Sequence, residues 1–450
     1  MHWIDILVLT LYVGFLILIG LFRHNQSSNS PEEYILAGRS LSLPAFTATL
    51  VTTWYGGILG IGENTFLYGI QTWFIFGLPY YIFATMYAYW IAPKIRSANH
   101  FSIPDHFNES FGKTASILSA FYIFILSSPA PYILSMGILI QFIFHIPSWV
   151  SMVLASLFSL IYIWFGGFKA VIRTDIFQFV FMFLGFGLLL TYCWAELGSP
   201  VTLLTSLPEK HVTPLGGNTI QYVIVWFFIA SWTFIDPGFY QRCAAAKTPE
   251  IAQKGILMSI LFWGIFDALT LITGLYAVQL ISPNNPLFSF PLLGKNILPP
   301  LVYGIFLAGI FATIMSTIDS LGFVNSFTFG RDIIGRLKGQ HLNIKSIRMG
   351  LIVSTLLAWG LALIVPSVVK LFYTIGSIII PGLIFPFLLN IWKPKCTVTS
   401  MLSTLWILVP VIISATWMGG SLIFTQPLLN IEPFYPGMIS SLIMGYFIIK

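Results

Sequence analysis

The sequence predicts an all-α protein that spans a membrane about thirteen times, and three observations carry that reading. Over 450 residues the chain is 57% hydrophobic and only 8% charged, against about half and a quarter in a soluble domain. Its apolar residues gather into runs near the length, about 20 residues, that crosses the hydrocarbon core as a helix. Its basic residues fall into alternate connections between those runs. A chain this apolar and this short of charge needs lipid as its solvent.

The runs cover residues 4–22, 42–69, 72–93, 114–142, 147–166, 174–195, 219–240, 255–281, 298–328, 347–365, 368–391, 398–418 and 436–449. The first is too long for a signal-peptide core, lacks a basic segment before it and a small-residue cleavage site after it, and is read as a retained helix. The last is the shortest. With the N-terminus outside, 18 of the 21 lysines and arginines lie on cytoplasmic connections, and Lys210, Lys295 and Lys370 lie outside. This asymmetry puts the N-terminus out and the C-terminus in, in a multi-pass protein of a cell membrane, the inner one in a bacterium.

The longest connections, 23–41, 94–113, 196–218 and 329–346, are too short for an appended enzyme domain, and the sequence has no GxxxxGK[ST] phosphate loop. Function is therefore expected inside the membrane, with neither catalysis nor nucleic-acid binding. Cys193, Cys243 and Cys396 are few and far apart, giving no disulfide framework and no metal-ligand spacing.

After an N-terminal helix and linker (1–41), the next ten runs divide into two groups of five, in 42–195 and 196–391, with peripheral helices in 392–450. Five is odd, so the second group runs upside down relative to the first. That is the arithmetic of the inverted repeat found in secondary transporters.

Five carboxylates, Glu63, Asp175, Asp236, Asp267 and Asp319, lie within or at the ends of these runs. Each costs about 2.5–3.5 kcal/mol near a helix centre. No lysine or arginine is expected mid-membrane beside them, which leaves a bound cation, a proton or a hydrogen-bonded neutral acid. Two stretches suit a cation. Between Leu50 and Glu63 stand Gly56, Gly57, Gly60 and Gly62; the helix there either unwinds to free carbonyls or packs closely through small residues. Between Thr313 and Ser320, the side chains of Ser316, Thr317, Asp319 and Ser320 cluster within about one turn. They offer oxygens to a hard cation, unless the hydroxyls bond back to their own helix. Asp267 has no motif around it and is read as structural. The run from Ser127 to Tyr132, with Pro129 and Pro131, is expected to break the third core helix.

Four segments resemble motifs of the sodium/solute symporter family in order and spacing. They are Glu33–Leu41 (EYILAGRSL), Gly166–Gln178 (GGFKAVIRTDIFQ), Asp236–Arg242 (DPGFYQR) and Met315–Ser320 (MSTIDS). The likeness covers roughly residues 31–330. It implies a LeuT-like inverted-repeat core, with one helix before it and extra helices after it, and Na+ as the co-transported ion. The sodium ligands it implies are the carbonyls of Thr52, Tyr55 and Thr313 and the hydroxyls of Ser316 and Thr317.

Some members hold a second cation nearby, for which the matching residues are Asp175, Ser316, Asp319 and Ser320. Asp319 departs from the serine or threonine of those members and is a candidate proton carrier; Asp175 is alternatively a helix cap beside Arg173. The solute site falls, by position, on Trp54, Leu59, Ile229, Trp232 and Thr233. Glu63 is either a cavity acid favouring a cationic or amine-bearing solute, or an acid near the outer rim. Ile58 and Leu59 replace the polar pair of sugar-transporting relatives, and Trp54 replaces the aspartate of proline-transporting ones, so neither substrate is expected. The resemblance implies sodium-coupled import of a small organic solute by alternating access. Proton coupling through Asp175, Asp319 or Glu63, or a solute sensor without its output module, are the alternatives.

Overall fold

The computed structural model describes residues 1–21, 31–282, 284–339, 343–393, 398–424 and 428–449. Arg23, Lys395 and Lys450, counted among the cytoplasmic basic residues, and Cys396 lie outside the described residues. Within them the chain is helical, with an isolated bridge between Leu41 and Ala246. Nine helices among the described residues are long and apolar enough to cross a membrane, or ten if the bent pair Gln71–Trp90 and Ala92–Ala98 is one span.

The shortfall from thirteen has a local cause in each case. Run 42–69 is two helices, Leu43–Trp54 and Ile58–Tyr68, separated by Tyr55–Gly57. Each piece covers about half of the roughly 30 Å hydrocarbon core. Runs 147–166 and 174–195 are two helices that meet at the non-helical Gly167, and the apolar part of the first, Ser148–Leu160, is short. The last run, seen as Phe434–Ile449, is also short. The expected connection 94–113 is largely helical, in Ala92–Ala98 and the start of Ile103–Leu126, where Ser102 and Asp105 form a capping box.

The sixth core helix is interrupted like the first. Ile220–Ile229 passes into a 3₁₀ turn, Ala230–Ile235, before Pro237–Ala245 resumes. The third breaks after Leu126, and Ala130–Phe144 continues beyond Pro129. The eighth, Val302–Phe327, is the axis of the bundle. In the apolar window of Val302–Lys338, 94% of residues are buried, against 28% in Trp3–Leu21 and 33% in Pro249–Leu280. The latter helices turn side chains such as Leu11, Leu18 and Leu261 outward, the surface a lipid-facing helix presents.

Three of the four motif segments meet at one end of the bundle. Gln241 Nε2 donates to the Ile35 carbonyl at 3.0 Å, and Lys169 pairs with Glu33. The backbone of Leu41 exchanges hydrogen bonds with Ala245 and Lys247, each at 3.0 Å. Gly167 sits at φ 58°, ψ −159°, a region open essentially to glycine alone. A Cβ there would lie 2.8 Å from Cδ2 of Tyr34. Gly167→Ala is therefore expected to cost about 1–3 kcal/mol in backbone strain, with the ring clash added, seen as a lowered melting temperature in detergent. Gly187→Ala, with nothing within 4 Å of the added carbon, should leave the melt unchanged or raise it.

Candidate ion and solute sites

The first break lies directly against the eighth core helix. A Cβ on Gly56 would stand 2.5 Å from Oγ1 of Thr317 and 2.4 Å from Cδ1 of Tyr132, so glycine is what lets these helices close. Thr317 Oγ1 donates to the Thr53 carbonyl at 2.8 Å and lies 3.2 Å from the Thr313 carbonyl. Thr52, Tyr55, Thr313, Ser316 and Thr317 are all buried. The hydroxyl of Thr317, one of the expected sodium ligands, thus spans the two helices. The carbonyl it touches across the gap is that of Thr53, one residue after Thr52.

Ser316 faces the other way and donates to Asp175 Oδ1 at 2.7 Å. Thr49 donates to the second oxygen of the same carboxylate. Among these groups lies Arg242, which corrects the expectation that no basic residue accompanies the buried acids. Its side chain and that of Asp175 are both fully buried, with Nη2 at 3.5 Å from Oδ2. The same nitrogen donates to Thr53 Oγ1 at 2.6 Å, Ser320 Oγ at 2.7 Å and Thr49 Oγ1 at 3.0 Å. Nη1 donates to the Gly238 carbonyl at 3.2 Å, and the guanidinium stands 5.6 Å from the centroid of Phe168. Both oxygens of Asp175 and both terminal nitrogens of Arg242 are hydrogen-bonded, which offsets the desolvation of the pair, while Arg242 Nε finds no partner among the described residues. Asp175 is accordingly no exposed helix cap. Asp319 is fully buried on the same helix as Ser316 and Ser320.

Beside the break lies a cavity offering ≈ 120 Å³ to the centre of a water-sized sphere. That is room for several waters or a small solute in their place. Of the expected solute residues, Trp54, Ile229 and Trp232 line it, and Leu59, Glu63 and Thr233 do not. Leu59 is fully buried in packing, and Thr233 Oγ1 donates back to the Ala230 carbonyl at 2.9 Å. Ser127, at the break of the third core helix, lines the cavity too.

Two acids face the cavity instead of Glu63: Asp236 and Asp267. Asp236 Oδ1 accepts from the Phe239 amide at 2.8 Å, capping the second half of the sixth core helix. Asp267, read as structural from the sequence, accepts from the Tyr55 phenol at 2.8 Å and from the Tyr81 phenol. The Tyr55 oxygen also lies 3.0 Å from the Trp263 carbonyl. Tyr80 and Phe239, absent from the sequence reading of the site, pack edge-on to Trp54 with centroids 4.7 and 5.7 Å away. An acid within an apolar run was the available signal for Asp267; its tyrosine partners come from other helices and leave no local pattern.

Two broken helices flanking a cavity, with a hydroxyl-bearing helix packed on the first break, define an ion-coupled secondary carrier of the LeuT-like class. Residues 34–407 match the model of the Sodium:solute symporter family, and the chain belongs to that family. It is a sodium-coupled solute symporter rather than an enzyme, a multi-pass membrane protein for which Na+ is a co-transported substrate.

Among similar proteins, sodium/proline symporter 2 of Staphylococcus saprophyticus is 23% identical, the match covering 100% of this chain and 93% of that one. The sodium/glucose cotransporter of Vibrio parahaemolyticus is 26% identical over 88% and 82%. The high-affinity choline transporter 1 of Drosophila melanogaster is 23% identical over 95% and 72%. In fold, the chain matches a Na+-coupled sialic acid symporter, solved substrate-bound and outward-open, with TM-score 0.83 at 19% identity, covering 100% and 97% of the two chains. It matches inward-facing Mhp1 with TM-score 0.55 at 12% identity over 94% of each.

The buried pair yields a direct test. Arg242→Met leaves Asp175 uncompensated and is expected to destabilise the protein by about 3–5 kcal/mol. Adding Asp175→Asn should recover much of that loss, because both charges are then gone. Thermal unfolding of the two variants in one detergent checks the ordering.

Proposed function

We propose that sodium binds at the break of the first core helix against the eighth, and that the solute binds beside it in the central cavity. The observation that carries this is the closure of Gly56 onto Thr317, which sets backbone carbonyls and a hydroxyl face to face across two helices. The ligands are the carbonyls of Thr52, Tyr55 and Thr313 and the hydroxyls of Ser316 and Thr317. Such a set of neutral oxygens holds a hard cation without trapping it. Ser316, already bonded to Asp175, ties this site to the Arg242 network.

Coupling is to one sodium ion per cycle. Arg242 Nη2 lies within hydrogen-bond reach of Ser320 and beside Asp175, two of the residues that would hold a second cation. A fixed guanidinium there supplies the positive charge that a second ion would bring.

The carrier imports a small organic solute by alternating access. External sodium stabilises the outward-open state, and solute closes the outer gate. Its core is an inverted repeat of residues 42–195 and 196–391. The membrane crossings number thirteen, with the broken first core helix, Ser148–Leu160 and Phe434–Ile448 counted beside the ten longer spans. The N-terminus is outside and the C-terminus inside.

Binding of ²²Na+ to the purified protein tests the sodium assignment. One ion per chain is expected, with affinity lowered roughly tenfold or more in Ser316→Ala/Thr317→Ala, about 1.4 kcal/mol or above. Unchanged affinity in the double mutant would refute the ligand set. Two ions per wild-type chain would refute the role given to Arg242, and a response to pH with none to sodium would point to proton coupling.

A further inference from the structure

We propose that the solute is a small organic cation, held in the central cavity with Asp267 as its counter-charge. The inference rests on the cavity being the solute site. Its first support is a charge inventory. Asp236 and Asp267 line the cavity, and among the described residues no lysine, arginine or histidine does. Neither aspartate makes an ion pair among the described residues. Arg242 lies behind Thr53 in the wall and is committed to Asp175, Thr49, Thr53 and Ser320. A carboxylate deep in a membrane protein requires a reason, and a cation arriving with the solute is one the cavity leaves room for.

The second support is the wall itself. Trp54, Trp73, Tyr80, Tyr132, Trp232 and Phe239 surround the space. Ring faces attract ammonium groups, most strongly where water is excluded. The edge-on packing of Tyr80 and Phe239 against Trp54 fixes part of that wall before any solute arrives. Aromatic faces with acids and no bases give the carboxylate of a solute no counter-charge, and give an amine or quaternary ammonium both of the contacts it needs.

The third is how Asp267 is held. The phenols of Tyr55 and Tyr81 come from the first and second core helices and converge on its two oxygens. They fix the carboxylate in place and satisfy it while the cavity holds water. Tyr55 is also the first residue of the helix break, where its carbonyl is a proposed sodium ligand. One residue therefore touches both sites, and sodium binding is felt at Asp267 through it.

The test uses intrinsic tryptophan fluorescence of the purified full chain, with tetramethylammonium chloride as the probe and tert-butanol, proline and sodium acetate as neutral, zwitterionic and anionic controls at matched sodium. A saturable response to tetramethylammonium that the three controls neither reproduce nor compete with supports the proposal. Asp267→Asn should weaken that response roughly tenfold or more, Asp267→Glu should restore part of it, and an unchanged thermal melt shows that both variants are folded. A saturable response to proline or tert-butanol with none to tetramethylammonium overturns the cation assignment, as does silence toward all four. The sodium site is scored separately by ²²Na+ binding, so a cation response that ignores sodium supports the solute class while refuting the coupling.

Discussion

The structure depends on a helix that stops where its glycines meet another helix. Between Trp54 and Ile58 the backbone leaves the helical path, and the first core helix resumes after three residues. Gly56 lies against Tyr132 and Thr317, and a Cβ on Gly57 would come within 2.9 Å of the Phe372 ring. Elements from the third, eighth and tenth core helices thus close on one unwound turn. An interrupted helix inside a membrane must find new partners for its backbone groups. Here the Ile58 amide bonds the Tyr55 carbonyl at 3.0 Å, and Thr317 bonds that of Thr53. The cavity exists because the chain turns at this point instead of filling the space with a straight helix.

Much of this was legible in the sequence, and the parts that were not share a physical reason. The glycine cluster, the hydroxyls on the eighth core helix and the prolines after Ser127 act through the local backbone, so a linear reading finds them. Leu59, placed by its resemblance to relatives, and Glu63, left open between cavity and outer rim, both lie off the cavity wall. The turn after Tyr55 rotates the second half so that Gly60 and Ile61 line the cavity. Arg242 sits at the end of an apolar run, where a charge-asymmetry count assigns it to the cytoplasm. Its partners Thr49 and Asp175 are 193 and 67 residues away in sequence, so only the fold shows that the charge is buried. Length alone finds fewer spans than the apolar runs do, since a break such as Tyr55–Gly57 divides one run into two pieces that are each too short to cross.

Asp175 and Asp267 are satisfied in opposite ways, and the difference bears on the cycle. Asp175 has a permanent cation in Arg242 and four hydroxyls around the pair. That cluster joins the first, fifth, sixth and eighth core helices whatever the cavity contains. Among the described residues Asp267 has two phenol partners, which stabilise it without neutralising it, so on the proposed solute class its environment changes whenever the cation enters or leaves. A carrier must return empty as well as loaded, and an acid stranded in an apolar wall would obstruct the return. The two tyrosines remove that obstacle by keeping the empty carboxylate hydrogen-bonded.

Charge then determines how the cycle is driven. A cationic solute travelling with one sodium ion moves two positive charges inward. Each contributes about 2.3 kcal/mol per 100 mV of membrane potential, and a tenfold sodium gradient adds about 1.4 kcal/mol. The potential thus acts on the solute directly and through its companion ion. On the proposed solute class and stoichiometry, Arg242 stays fixed in the wall, Asp267 is neutralised by its cargo, and one coupling ion would suffice for steep accumulation.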